Sequence, residues 1–332
     1  MQKVLIVCSG FSLAGKEPIK MIEQAGLSVS ELDYGPGGLS KNEDEFCRIV
    51  KGIDALIVSI EKVTRKVIEN ADRLKIIALR GVGYDGIDLI AATDHQILVT
   101  HNMGVNRKAV ADLAIGLMLS VSRRISWMEK GMRDGKYNEL RILTPGIYER
   151  TLGIIGLGQT GKTVALRAKG FDMTVLYHDI VEYADFAKNH GIKKVTLNKL
   201  LRNSDIITIH LPLDESTRNI IGKKEIMTMK KEAILINTAR GGIVNEKELY
   251  HALTNGHLYG YGADVHENEP PLSLDLIKCE NVVSTAHMAG ISLQSSKDMA
   301  MMAAKKVIQY LKEKKIPENL LNPEVLEKKK RR

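Results

Sequence analysis

The stretch TLGIIGLGQTG, residues 151–161, decides the fold because it joins a short apolar strand to three glycines in a fixed spacing. Gly156, Gly158 and Gly161 form a GxGxxG pattern, and the residues that follow, KTVALRAKGF, are typical of a helix. A strand, a glycine-rich turn and a helix in this order let the backbone approach a pyrophosphate at the helix N-terminus. Glycine-rich turns alone are common, so the flanking strand and helix are what predict a dinucleotide site.

An aspartate ends the next apolar run, MTVLYHD, where the adenosine ribose of a dinucleotide would lie. Asp179 comes 18 residues after Gly161, and a carboxylate there accepts hydrogen bonds from the ribose hydroxyls and repels a 2′-phosphate. No arginine follows closely, because the next residues are Ile180, Val181 and Glu182. The sequence therefore predicts NAD as the cofactor in preference to NADP. The alternative is a structural turn with an incidental aspartate.

Short apolar runs alternate with helix-length amphipathic segments along the whole chain. Continuous apolar runs are typical of strands that are covered on both faces, as in a parallel sheet. Two series of them predict an α/β protein with two doubly wound parallel-sheet domains. The runs are VLIV (4–7), ALIVS (55–59), IIAL (76–79) and ILVT (97–100), then TLGIIG (151–156), MTVLY (173–177), DIITIHLP (205–212), AILINTA (233–239), YGADV (261–265) and NVVSTAH (281–287).

Three other segments complete this pattern. Residues 106–125 predict a long, largely buried helix that ends at the basic pair Arg123 and Arg124, since cations favour a helix C-terminus. Residues 131–149 have no clear period and predict an extended excursion, and residues 296–314 predict a final helix.

Composition limits the class of protein and its location. The chain has 332 residues, of which 44% are hydrophobic and 27% charged, as in a water-soluble protein of two domains. No apolar run approaches the roughly 20 residues that span a bilayer, and the N-terminal run is too short for a secretory signal. Cys8, Cys47 and Cys279 match neither a disulfide framework nor a zinc site, so we expect no metal and a cytoplasmic location.

The charge of the chain raises the question of nucleic-acid binding. The formal net charge is +8, but much of the excess lies in the last five residues, Lys328 to Arg332. Aromatic residues make up only 5% of the chain, so stacking platforms for single strands are not expected. We interpret the basic run as a solvated tail and expect no nucleic-acid partner. A basic body still suits a small anionic substrate.

Three later strand ends carry side chains that could act on a substrate. ILINTARGG places Arg240 before two glycines, which would turn the backbone sharply and leave the space around the guanidinium open. YGADVHENEP contains Asp264 and Glu269, and NVVSTAHMAG contains His287. The carboxyl ends of the strands in a doubly wound sheet open onto the cofactor crevice. These groups are therefore expected at one site.

Arginine, acid and histidine are the groups that oxidation of a 2-hydroxy acid requires. His287 can take the hydroxyl proton and return it in the reverse direction. Glu269 would orient the imidazole and favour its charged form, and Arg240 would bind the substrate carboxylate at two points. Alone, Arg240 could be a solvated charge and His287 a structural histidine; together with Glu269 they favour a catalytic set.

At these residues the chain resembles the D-isomer-specific 2-hydroxyacid dehydrogenases, which include phosphoglycerate dehydrogenase. The resemblance implies a Rossmann-type NAD-binding domain, residues 102–291, inserted in a flavodoxin-like substrate domain, residues 1–101 and 292–332. It also implies a homodimer whose interface contains the helix at 106–125 and the excursion after it. The matching stretches are GVGYDGID (81–88), GIIGLGQTG (153–161), HLPLDEST (210–217), INTARGGIVNEKEL (236–249), GADVHENEP (262–270), TAHMAG (285–290) and NPEVL (322–326).

The resemblance further implies a set of site residues. The backbone amides of Val82 and Gly83 would hold the substrate carboxylate opposite Arg240, and Asp264 would meet the nicotinamide carboxamide. The cofactor contacts that it implies, besides the three glycines and Asp179, are Gln159, Thr160, Leu211, Thr217, Thr238, Ala239, Arg240, Asp264, His287 and Gly290.

The function that follows is an NAD-dependent D-2-hydroxyacid dehydrogenase, with 3-phosphoglycerate among the candidate substrates. Many relatives carry arginine where this chain has Leu79, and here Arg80 stands one residue later, which weakens the case for phosphoglycerate. Two alternatives stay open. One is an NAD-sensing interaction protein without activity, and the other is a phosphite or formate dehydrogenase on the same fold.

Overall fold

The structure is a computed structural model that describes residues 1–35, 39 and 42–330. Arg331 and Arg332, the end of the basic run, lie outside the described residues. The chain divides into two compact units. The first unit is Met1–Asn106 with Gly290–Arg332, and the second unit is Arg107–Ala289.

The first unit contains a parallel sheet with helices packed on it. The strand order among the described residues is β2-β1-β3-β4-β5, and every pairing is parallel. The strands are β1 Lys3–Val7, β2 Ser28–Leu32, β3 Ala55–Val58, β4 Ile76–Leu79 and β5 Leu98–Thr100. The helices are α1 Glu17–Gln24, α2 Glu43–Ile49, α3 Arg65–Glu69, α4 Leu89–Asp94, α12 Leu293–Leu311 and α13 Val325–Lys330.

Strand β4, which lies between β3 and β5, shows why this sheet is buried on both faces. Ile77 and Leu79 belong to one apolar cluster, whereas Ile76 and Ala78 belong to another. Successive side chains of a strand point to opposite faces, so a continuous apolar run supplies both clusters. Each large side chain buried in this way contributes roughly 1.5–3 kcal/mol to stability.

The second unit contains a longer parallel sheet of the same kind. The strand order among the described residues is β12-β11-β10-β9-β6-β7-β8, so the order reverses between β9 and β6, where a doubly wound sheet opens a crevice. The strands are β6 Thr151–Ile155, β7 Thr174–His178, β8 Lys193–Lys194, β9 Ile206–Ile209, β10 Ala233–Asn237, β11 Leu258–Ala263 and β12 Val282–Ser284. The helices are α5 Arg107–Ser122, α6 Ile125–Arg133, α7 Gln159–Ala168, α8 Ala184–His190, α9 Leu197–Asn203, α10 Lys223–Thr228 and α11 Glu246–Thr254.

The predicted fold class is confirmed, and several element boundaries differ from the prediction. The predicted helix 106–125 ends at Ser122, because Arg124 adopts a left-handed conformation (φ 52°) before α6 begins. The last long helix begins at Leu293, where Ser292 and Ser295 form a capping box. Strand β2 was missed because its residues are partly exposed, without a continuous apolar run.

The start of the basic run is helical, and the side chain of Lys328 is exposed. Lys328 lies in α13 and its Nζ is 3.0 Å from Asp94 Oδ1. Among the described helices, none combines the length and apolar character needed to cross a membrane.

Candidate active site

The glycine-rich loop lies between β6 and α7 in the second unit. A Cβ built at Gly161 would lie 2.1 Å from the carbonyl oxygen of Gly156, so only glycine fits there. Around Gly158 no described atom lies within 4 Å of such a Cβ, and Gly158 precedes α7 without a side-chain cap. The first amides of α7, on Gln159 and Thr160, are thus available to an anion.

Asp179 lies just after β7 and is held by two backbone groups. Its Oδ2 accepts a hydrogen bond of 2.7 Å from the Leu157 N–H, and its Oδ1 accepts one of 2.8 Å from Val181. A carboxylate oxygen can accept more than one hydrogen bond. The side chain is therefore fixed beside the glycine-rich loop and can still accept ribose hydroxyls.

Two residues of the predicted cofactor groove lie after β9. A Cβ built at Gly156 would be 3.0 Å from Leu211 Cδ2, so Leu211 lies against the glycine-rich loop. Thr217 is buried and its hydroxyl donates to the Pro212 carbonyl (2.7 Å). Leu211 can contact a cofactor directly, whereas Thr217 holds the loop that carries Leu211.

Thr238 gives an independent indication that a polar ligand completes this unit. Its hydroxyl is buried and has no hydrogen-bond partner among the described residues, and such groups are rare in native proteins. Ala239, which follows it, is also buried. The open helix terminus, the fixed carboxylate and this hydroxyl together fit a dinucleotide.

The turn after β10 delivers Arg240 and is held by Asn237. The Asn237 side chain donates to the Arg240 carbonyl (2.9 Å) and accepts from the Ala239 N–H (3.0 Å). A Cβ built at Gly241 would lie 1.8 Å from the His266 carbonyl oxygen. Glycine is therefore needed at this position for the close packing of two backbone segments. Arg240 itself is half-buried, and its Nη1 donates to the Ala239 carbonyl (2.8 Å).

Asp264 organises the loop that presents His287. Its carboxylate accepts hydrogen bonds from the Thr285 hydroxyl (2.6 Å) and from the N–H groups of Met288 (2.7 Å) and Ala289 (2.8 Å). His287 adopts a left-handed backbone conformation with φ 53°. That conformation is uncommon outside glycine and often marks functional sites. The buried Asp264 therefore positions the histidine, and its predicted nicotinamide contact stays a prediction.

His287 and Glu269 form a close pair. His287 Nδ1 is 2.6 Å from Glu269 Oε2, and Glu269 Oε1 accepts from the His266 N–H (3.1 Å). The hydrogen bond with Glu269 raises the pKa of His287, against burial and the nearby Arg240 charge, which lower it. Burial raises the pKa of Glu269, but the hydrogen bonds and charges of His287 and His266 together hold that pKa below its ordinary value. Because Nδ1 faces the carboxylate, Nε2 is left for a substrate.

Residues 115–289 match the family described as D-isomer specific 2-hydroxyacid dehydrogenase, NAD binding domain. The chain belongs to this family. A glyoxylate reductase of Korarchaeum cryptofilum is 42% identical to this chain, over 92% of this chain and 95% of the reductase. A D-3-phosphoglycerate dehydrogenase of Methanocaldococcus jannaschii is 37% identical over 92% of this chain and 57% of its own length.

A solved structure agrees with these relatives. The crystal structure of D-lactate dehydrogenase from Aquifex aeolicus, complexed with NAD and lactic acid, has a TM-score of 0.80 and 27% identity over 97% of this chain and 99% of that one. The dehydrogenase is an oxidoreductase that uses NAD and acts on the CH–OH group of 2-hydroxy acids. The predicted family, activity and cofactor are confirmed, and the reading as an inactive interaction protein is not supported.

The remaining predicted residues of the dehydrogenase lie in the first unit. Val82 and Gly83 follow β4, and the Val82 carbonyl is 3.0 Å from His101 Nδ1. Asn102 donates from its N–H to the Gly81 carbonyl (3.0 Å), so this loop is supported by residues after β5. Gly290 also belongs to the first unit, where its carbonyl accepts from the Ser295 hydroxyl (2.8 Å).

Sequence reasoning missed the residues that hold the catalytic groups in place. Asn237 and Thr285 each end or follow a strand and bond the backbone or carboxylate beside a catalytic residue. The available signal was a polar side chain at the end of an apolar run. His101 and Asn102 carry the same signal after β5.

Proposed function

We propose that the dehydrogenase interconverts small 2-oxo acids and D-2-hydroxy acids with Arg240, Glu269 and His287 as its catalytic residues. The observation that carries the proposal is the 2.6 Å contact between His287 Nδ1 and Glu269 Oε2. A histidine whose pKa is raised by a hydrogen-bonded carboxylate suits proton donation to a carbonyl. The arrangement therefore fits the proton-donating step of oxo-acid reduction.

The proton path in this proposal begins at His287 Nε2. In reduction, Nε2 donates a proton to the carbonyl oxygen, which becomes the hydroxyl group, and Glu269 stabilises the imidazolium before that transfer. In oxidation, neutral Nε2 takes the hydroxyl proton. Asp264 holds the loop of His287 through three hydrogen bonds, so the ring is positioned before substrate binds.

The substrate carboxylate is assigned to Arg240 and to the amides of Val82 and Gly83. A guanidinium matches a carboxylate through two parallel hydrogen bonds. The turn that carries Arg240 is fixed by Asn237, which supports a defined direction for the side chain. The loop with Val82 is fixed by His101.

The cofactor is assigned to the loop and strand ends of the second unit. When bound, NADH supplies a hydride to the carbonyl carbon, and NAD accepts one in the reverse direction. The amides of Gln159 and Thr160 would bind the pyrophosphate, Asp179 would bind the ribose, and the unpartnered Thr238 hydroxyl would bind a polar group of the nicotinamide half. Leu211, which lies against the glycine-rich loop, would contact the dinucleotide.

The substrate class is proposed from the relatives. Glyoxylate reductases, a hydroxypyruvate reductase and D-3-phosphoglycerate dehydrogenases are all similar to this chain. We propose a short 2-oxo acid such as glyoxylate or hydroxypyruvate, with 3-phosphoglycerate as a further candidate. Residues 1–101 and 292–332 form the substrate domain in this proposal.

Assembly and location are proposed on separate grounds. Ile125 and Met132 of α6 and Tyr137, Leu143 and Tyr148 of the segment after it are exposed large apolar residues. Exposed apolar surface often marks protein interfaces, and its frequency in this segment supports a homodimer through this region. The three cysteines are free, which supports a reducing, cytoplasmic location.

The test is a screen of 2-oxo acids with NADH, followed as loss of NADH absorbance. Glyoxylate, hydroxypyruvate, 3-phosphohydroxypyruvate, pyruvate and 2-oxoglutarate form the panel. Turnover of at least one acid, lost in His287→Ala and kept in His251→Ala, supports the proposal, since His251 is exposed on α11. Turnover of formate or phosphite with NAD, and of none of these acids, would contradict it.

A further inference from the structure

A pocket of about 270 Å³ lies in the first unit. It is at the carboxyl end of the sheet, because Ser9 follows β1 and Arg80 follows β4. Three of its lining residues belong to the start of α12, namely Ser292, Leu293 and Ser296. All of its lining residues belong to the first unit. The residues named here have no role in the reaction as proposed above; they are Ser9, Arg80, Ser292, Leu293 and Ser296.

Arg80 is the charged group of this pocket. It is only 8% exposed, and its Nε is fully covered without a hydrogen-bond partner among the described residues. Its Nη1 donates to the Ser9 carbonyl (3.2 Å) and approaches Cys8 Sγ (3.3 Å). A guanidinium has five N–H donors, so these two contacts leave most of its capacity unused. A buried cation normally has an anionic partner.

The nearby carboxylates do not supply that partner. Glu61 is buried, its Oε2 accepts from the Ser59 N–H (2.7 Å), and its Oε1 has no hydrogen-bond partner among the described residues. Burial raises the pKa of Glu61, with Arg80 as the weakest opposing influence, so its negative charge is disfavoured. Asp33 is exposed and accepts from the Gly10 N–H (3.2 Å), where water screens its charge.

The first turn of α12 adds a second feature that favours an anion. The helix has 19 residues, and its capping box satisfies the Ser295 N–H. The N–H groups of Leu293 and Gln294 have no partner inside the helix, and the N-terminus carries partial positive charge. Leu293 and Ser296 line the same pocket as Arg80.

We propose that this pocket binds a small anionic group, a carboxylate or a phosphate, between Arg80 and the N-terminus of α12. Arginine donates to either oxyanion at two points, helix amides donate along the axis, and Ser9 and Ser296 also line the pocket. The anion is either free or the second anionic group of a substrate. The second case rests on the proposed function, in which Val82 and Gly83, next to Arg80, bind the first carboxylate.

The test of binding is calorimetric titration of the full chain with inorganic phosphate in saturating NADH, which occupies the pyrophosphate site. Arg80→Met removes the cation, and loss of its charged hydrogen bonds should weaken phosphate binding about tenfold or more. Arg48→Met is the matched control, because Arg48 lies on α2 of the same unit with its side chain 72% exposed; it should bind phosphate as the unmodified protein does.

A second variant keeps the test decisive if Arg80→Met does not fold. Leu293 is 73% exposed at the first position of α12. Leu293→Glu places an anion that suits the helix N-terminus but repels phosphate, so it should fold well and also bind phosphate about tenfold more weakly. Ile90→Glu is its control, since Ile90 is 71% exposed in the first turn of α4, and its phosphate binding should not change.

A kinetic comparison separates the two sources of the anion. If the group belongs to the substrate, Arg80→Met and Leu293→Glu should lower the ratio of kcat/KM for oxaloacetate, a 2-oxo diacid, to that for glyoxylate about tenfold. If phosphate binding falls while this ratio is constant, the pocket takes a free anion. Phosphate binding that is absent, or equal in the unmodified protein and both variants, overturns the proposal. If no 2-oxo acid is reduced, the proposed function fails, but the titration still decides this site.

Discussion

Arg240 and Arg80 both stand beyond the carboxyl end of a buried parallel strand, one in each unit. Arg240 comes after β10, is half-buried and is carried by a turn that Asn237 holds in place. Arg80 directly follows β4 and is 8% exposed, with an unpartnered Nε. Strand ends of parallel sheets gather polar groups in both units, but burial gives the two cations different environments.

The difference shows that a residue's position at a strand end does not determine how far its side chain is buried. In the second unit, the side chains of His287 and Glu269 are 51% and 38% exposed, so a substrate can reach them and protons can exchange. In the first unit, Arg80 is enclosed, and a ligand would have to enter a pocket to reach it. We therefore expect catalysis at the carboxyl ends of the strands in the second unit. At the carboxyl ends of the strands in the first unit we expect ligand recognition.

The largest expected effect tests whether His287 and Glu269, the exposed pair in the second unit, carry out catalysis. His287→Ala removes the proton donor and should lower kcat for the reduction about 10²–10⁴-fold, the usual contribution of a positioned acid–base group. NADH affinity, measured by fluorescence titration, should be nearly unchanged because the glycine-rich loop is intact. Loss of NADH binding together with kcat would show that the histidine is structural. The exposed His251→Ala serves as the control for a generic histidine substitution.

The next effect tests whether Arg240 acts through geometry as well as charge. Arg240→Lys keeps a cation but loses two-point binding of a carboxylate. It should cost about 2–3 kcal/mol in kcat/KM for the oxo acid, mainly through a higher KM. Steady-state kinetics with Arg202→Lys, an exposed residue of α9, give the baseline. Equal KM values in the two variants would return Arg240 to the reading as a solvated charge.

Sequence alone predicted the features that local pattern determines. The buried strands β4 and β10 are continuous apolar runs, and the glycine spacing is fixed by the close approach of Gly161 to the Gly156 carbonyl. His287 and Glu269 were predicted as partners, and they form a hydrogen bond.

Other features depend on tertiary packing, which a pattern does not contain. Arg80 was noted only as an arginine one residue later than in many relatives, because its contact with the Ser9 carbonyl and its place in a pocket with the start of α12 join segments far apart in sequence. The close approach of the His266 backbone to Gly241 also depends on packing, and the two glycines after Arg240 did not predict it. Asp264 was assigned to the cofactor, and its bonds to residues 285–289 could not be read from its position after a strand.

A smaller effect concerns the cofactor end of the second unit. Asp179→Ala should reduce the preference for NADH over NADPH in kcat/KM at least about tenfold, because like charges no longer meet at the ribose. It should also weaken NADH binding, since the N–H groups of Leu157 and Val181 lose their acceptor. Kinetics with both cofactors check this, with the exposed Asp185→Ala as the control. An unchanged ratio would mean that Asp179 is only a structural turn residue.

The smallest expected effect is a shift in pH dependence that isolates the His287–Glu269 contact. The raised pKa of His287 keeps the imidazolium present below that pKa, so reduction should proceed there and fall as pH rises through it. Glu269→Gln removes the counter-charge but can still accept the His266 N–H, so the pKa of His287 should drop. The falling limb of kcat/KM against pH should therefore move to lower pH, with kcat at acidic pH changed least.

Three groups near His287 make the sign of this shift testable. Glu269 and Asp264 raise the pKa of His287, whereas Arg240 lowers it. Without the Glu269 charge only Asp264 opposes Arg240, so the pKa of His287 should fall. Glu267→Gln is the matched control, because Glu267 is exposed and its recorded bond is through the backbone N–H to Glu246; its profile should superimpose on that of the unmodified enzyme. If the pH profile of Glu269→Gln also superimposes on that of the unmodified enzyme, another group supplies the proton. The His287–Glu269 pair would then lose its assigned role in catalysis.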